Sequence, residues 1–76
     1  MFNGDFVNRQ AQHFANRLVS EAGPDPARQI ERAYRLALAR PPTAAEQNAM
    51  QEFLKKESLE QMCRVLLNLN EFVYPN

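Results

Sequence analysis

Ser58-Leu59-Glu60-Gln61-Met62-Cys63-Arg64-Val65-Leu66-Leu67-Asn68-Leu69-Asn70-Glu71-Phe72-Val73 is the stretch whose reading decides the fold. At about 100° per residue, Leu59, Met62, Cys63, Leu66, Leu67 and Val73 share one side, and Val65 and Leu69 widen that arc beyond half the circumference. Only Glu60, Gln61, Arg64, Asn68 and Glu71 are left for water. A helix this apolar belongs in the middle of a core. Ser58-Leu59-Glu60-Gln61 opens it as a capping box.

Three further segments must pack around it. Thr43-Ala44-Ala45-Glu46 is a second capping box, followed by an apolar face of Ala49, Met50, Phe53 and Leu54, with Lys55 and Lys56 at the negative end of the helix dipole. Upstream, Asp25 can cap a helix whose first residue is Pro26, and Ile30, Ala33, Tyr34, Ala37 and Leu38 form its buried stripe. Leu36 falls off that stripe, which implies a second buried flank. Pro42 disfavours helix at Pro41, so this segment should end near Arg40. The first segment runs from about Asp5, an expected N-cap, to Gly23, an expected stop. Val7, Ala11, Phe14, Leu18 and Ala22 make its stripe, and Phe6 sits on its polar side.

Few residues are β-branched and nothing alternates with period two, so strands are not expected. The fold class is all-α: a small bundle of about four short helices joined by short connections containing proline or glycine. The chain has 76 residues, 45% hydrophobic and 24% charged. It should form a single helical domain over 1–76, and it is read as a piece of a longer chain. A domain this size buries roughly 60% of its unfolded surface, so marginal stability is expected.

Composition also limits function. Nine basic residues balance nine acidic ones, which removes the electrostatic footprint of non-specific nucleic-acid binding. The longest apolar run, Val65-Leu66-Leu67, is far too short to span a bilayer, so no membrane insertion is expected. Met1-Phe2-Asn3-Gly4-Asp5 does not open a signal peptide.

One cysteine, Cys63, and one histidine, His13, offer no metal set; Cys63 is read as core and His13 as solvated. Asp25 and Glu46 are explained as caps rather than an acid–base pair. Gly4 and Gly23 cannot make a phosphate loop, and Ser20, Ser58 and Thr43 have no base to activate them. No enzyme, cofactor or metal site is therefore expected. Arg28, Arg32 and Arg35, with Arg40 beyond, form the one basic patch, and the paired second and third helices suggest a helix-turn-helix-like nucleic-acid binder as the alternative function. Interleaved Glu31 weighs against it and favours a solvated face.

Asn70 would fall near the middle of the apolar arc. It is read as ending the last helix, its amide bonded to neighbouring backbone, with Phe72 and Tyr74 packing back on the bundle. Glu71 is expected to pair with Arg40 or Arg35.

Three stretches carry a resemblance: Phe2-Asn3-Gly4-Asp5-Phe6-Val7 (with Gln10-Ala11), Ile30 to Thr43 through Arg40-Pro41-Pro42, and Cys63 to Tyr74 through Asn68-Leu69-Asn70-Glu71-Phe72. From Phe2 to Tyr74 the chain resembles the C-terminal region of large planctomycete-type multidomain proteins, a domain of unknown function often joined to a cytochrome-c-like domain. Arg40, Thr43, Glu46, Asn68, Asn70, Glu71, Phe72 and Tyr74 are its structural signature. Ala39 departs from the glycine common there and suggests a less sharply turned helix end. Haem attachment is not implied, since Cys63 lacks a second cysteine and an adjacent histidine.

The resemblance implies a terminal helical module of an exported or periplasmic parent protein and no known reaction. The expected function is a non-catalytic packing or interaction module. Its partner is the remainder of the parent chain or another protein, contacted through Phe2, Phe6 and Leu36, with self-association as a further expectation.

Overall fold

The computed structural model describes the backbone of residues 4–73 and the side chains of residues 4–70. Four helices follow one another: α1 (Gly4–Ala22), α2 (Pro26–Leu38), α3 (Ala44–Lys56) and α4 (Leu59–Val73). No strand occurs among the described residues, and the all-α bundle expected from sequence is what forms.

Each boundary has a local cause. Gly23 stops α1 with φ 74°, and its N–H donates to Val19 O at 3.0 Å. Asp25 caps α2, its carboxylate accepting from the Ala27 N–H at 3.2 Å, and Pro26 fills the first helical position. Thr43 and Glu46 form the full reciprocal capping box at the start of α3. At α4 the Ser58 hydroxyl accepts from the Gln61 N–H at 3.1 Å.

Two ends differ from expectation. Asp5 is already helical, in the first turn of α1, where it still faces the positive end of the dipole. The second helix ends at Leu38 rather than near Arg40, because Ala39 turns into the left-handed region at φ 58°. The expected softer turn is therefore not what forms. Alanine instead adopts glycine's conformation at a cost of about 1 kcal/mol.

The turn is held from outside the backbone. Arg40 grips Glu46 with two parallel hydrogen bonds of 2.7 and 2.8 Å, and Glu46 also accepts the Thr43 N–H at 2.8 Å. The Arg40 guanidinium lies 5.7 Å above the Tyr34 ring. Arg40 and the Thr43 N–H together hold the Glu46 carboxyl down to about 2.

The core is one cluster shared by α1, α2 and α4. Leu18, Ile30, Ala33, Tyr34, Met62, Cys63 and Leu66 are buried at its centre. The sequence made α4 the sole hub; in the structure α2 shares that place, and each of the two touches every other helix. α1 and α3 do not touch one another among the described residues. α3 contributes no fully buried side chain, only half-buried Met50, Phe53 and Leu54, while Ala49, 100° round the wheel from Met50, is exposed. The apolar arc of α4 is wider than its neighbours can cover, so Val65 (37% exposed) and Leu69 (41%) stay at the surface. Asn68, expected in water, is half-buried, and its Oδ1 is buried without a hydrogen-bond partner.

Three carboxamides lace the helices together. Gln29, buried on α2, donates to Gly23 O at 2.7 Å; Gln47 on α3 donates to Ala27 O at 3.3 Å; and Asn70 donates to Ala37 O. Asn70 does not end the last helix, which runs on through Val73. Its amide instead reaches across to a carbonyl in the last turn of α2, one of those that a helix leaves unpaired. The expected placements of Phe72 and Tyr74, and the Glu71 ion pair, lie outside the described side chains. Arg35 is 3.5 Å from Glu31.

Two predictions follow from the α2–α3 turn. Ala39→Gly should raise the unfolding free energy by about 1 kcal/mol, because glycine takes this φ without strain; chemical denaturation reads it, and a loss of stability would contradict the assignment. Glu46 sits below its ordinary value of 4.5 when folded, so its contribution is present above that value and fades as pH falls towards 2. Glu46→Gln should flatten this acid limb and cost about 1 kcal/mol at neutral pH, a modest figure because the pair is partly exposed.

Candidate interaction groove

The C-terminal half of α2, the middle of α1 and the C-terminal half of α4 meet around an open groove of about 340 Å³. Gln10, His13, Phe14 and Arg17 line it from α1, Leu36 and Ala37 from α2, and Leu67 and Asn70 from α4. Helical spacing puts the α1 residues on one flank, and Phe6, one turn before Gln10, lies on that same flank. Phe6 is 40% exposed. Leu36 is half-buried and packs on the core, so it supplies the second flank expected of α2 and is less exposed than the interaction reading supposed. Phe2, the third candidate contact, lies outside the described residues.

The groove has an apolar floor of Phe14, Leu36 and Leu67 and a polar rim of Gln10, His13, Arg17 and Asn70. It brings Leu36 together with the flank that carries Phe6. Sequence reading missed Gln10, Arg17 and Leu67 as groove residues. Arg17 was placed on the polar face and Leu67 in the core, and a groove at their border is a property of three helices together. The spacing of Phe6, Gln10, Phe14 and Arg17 was the available signal.

Cys63 is fully buried, and loss of water pushes its thiol up to about 12, with Glu60 adding to the effect. No group of histidine, cysteine, aspartate or glutamate among the described residues could hold a metal ion. Asp25 and Glu46 stand at different helix starts as caps and are not brought together.

The basic patch on α2 is interleaved with carboxylates. Arg32 bonds Glu21 at 2.7–2.8 Å, Arg35 faces Glu31 at 3.5 Å, and Arg28 lies 3.9 Å from Asp25. Arg17 shares Glu21 at 2.6 Å, and the two guanidiniums, Arg17 first, hold the Glu21 carboxyl below its usual range.

Among the described residues the fold is a small all-α bundle of four helices. The family described as PSD1, a protein of unknown function (DUF1553), matches residues 1–54, and the chain belongs to it. The resemblance read from the sequence to a domain of unknown function is thereby borne out. No curated protein and no solved structure matches the chain.

Proposed function

We propose that this chain is a non-catalytic packing and interaction module that docks through the α1/α2/α4 groove onto the remainder of a longer polypeptide or onto a second protein. The observation that carries this reading is the convergence of Phe14, Leu36 and Leu67, beside the flank of Phe6, in one open groove. Apolar surface gathered in a concave place favours a partner surface over water. A non-catalytic role is supported by the buried thiol and by a groove whose lining, among the described residues, sets no carboxylate beside its histidine. An open apolar groove also gives the isolated chain a route to self-association.

A nucleic-acid role gains no support from the α2 arginines, since each faces a carboxylate and the patch is nearly neutral. No described helix is long and apolar enough to cross a membrane.

The test is photo-crosslinking in the purified longer polypeptide, with p-benzoylphenylalanine placed at His13 and, as a control on the other face, at Arg28. Docking predicts a defined cross-link from position 13 to one segment outside this domain and none from position 28. Equal yields from the two positions, or none from position 13, would contradict it.

A further inference from the structure

We infer that the resting occupant of the α1/α2/α4 groove is a residue of the same chain, Tyr74, the first residue beyond α4. α4 is helical through Val73, so the turn before position 74 sets where it lies. Tyr74 follows Asn70 by four positions and Leu67 by seven. On the helix wheel it therefore falls between them, about 40° from the first and about 20° from the second. Leu67 and Asn70 are the two residues that α4 gives to the groove.

Direction and reach agree with that register. Helical side chains lean towards the N-terminus, so a ring at position 74 covers the turn that carries Asn70 rather than projecting past the bundle. Pro75 bars the helix from continuing, which makes Tyr74 the last position that the register of α4 governs. The end of α4 is tied to the end of α2, where Asn70 donates to Ala37 O. Ala37 in turn lines the groove together with Gln10 and Phe14 of α1. The same end of the bundle thus holds the groove floor and the last turn of α4.

The chemistry of the groove matches a phenol. Phe14, Leu36 and Leu67 offer an apolar floor, and Gln10, His13 and Asn70 set polar groups at the rim. A tyrosine has an apolar body for the one and a hydroxyl for the other. About 340 Å³ accommodates such a ring, at the lower end of the range of ligand pockets. The match is one of shape and polarity and does not depend on the charge of the rim. The same register excludes Phe72, which falls about 20° from Val65, on the exposed side shared with Leu69. A partner that docks in the groove then has to exchange places with Tyr74.

The experiment measures nuclear Overhauser contacts in the 76-residue chain. Ring protons of Tyr74 should contact the methyl groups of Leu36 and Leu67 and the ring of Phe14. A sample mixing labelled and unlabelled chains should show none of these contacts between molecules. Tyr74→Ala should shift the signals of His13, Phe14, Leu36 and Leu67 and leave those of Val65 and Leu69 in place, with circular dichroism showing the helices intact. Tyr74→Phe should keep the ring contacts.

Groove contacts made by Phe72 or Phe2 in place of Tyr74, or by no aromatic ring, would overturn the assignment. Contacts seen only between molecules would make the occupant a second copy and overturn it equally. Each of these failures leaves the docking reading standing, because the cross-link from position 13 tests that reading separately. Loss of that cross-link with the Tyr74 contacts present would sink docking and leave Tyr74 in its seat.

Discussion

The meeting of α1, α2 and α4 around one buried cluster is the contact on which the rest of the fold depends. Ile30, Ala33 and Tyr34 from one side and Met62, Cys63 and Leu66 from the other are withdrawn from water, with Leu18 of α1 among them. Burial of a large apolar side chain is worth about 1.5–3 kcal/mol, and in a chain this short few other sources of stability exist. Asn70 adds a directional element to an otherwise greasy contact, since its amide fixes the end of α2 against α4. The two helices cannot slide along each other without breaking that part-buried hydrogen bond. α1 supplies Ala11, Ala15 and Leu18 to the same core. α3 rests on the surface of the pair with half-buried residues and is tied to α2 by Gln47 and by the Arg40–Glu46 pair.

Much of this was legible in the residues. The four helices, the stripe of α2, the cap at Asp25, the box at Thr43 and the stop at Gly23 all follow from short-range chemistry, which a sequence states directly. What sequence could not rank was the coverage of each apolar surface. Val65 and Leu69 look as apolar as Leu66, and only the number and position of neighbouring helices decides which is buried. Asn70 shows the same limit from the polar side. A carboxamide in an apolar arc reads as a helix terminator until the partner carbonyl, thirty-three positions away in the chain, is known. The groove was legible only in part, through Phe6 and Leu36, because its floor is shared by three helices.

Ala39 shows how a fold tolerates one unfavourable residue. The left-handed turn is needed to swing the chain from α2 into Pro41-Pro42, and it forms in alanine because three restraints agree on it. These are the Arg35 carbonyl receiving the Ala39 N–H at 3.1 Å, the Arg40 clamp on Glu46 and the box at Thr43. The same clamp joins Arg40, Thr43 and Glu46 into one corner rather than three separate sites.

Native-state hydrogen exchange along the chain tests the central claim most directly. If α1, α2 and α4 form the common core, amides of Ala15–Leu18, Ala33–Ala37 and Met62–Leu66 exchange only through global unfolding, whereas amides in α3 exchange through a smaller, local opening. Protection of α3 equal to that of α2 and α4 would contradict the account, as would early exchange around Leu66.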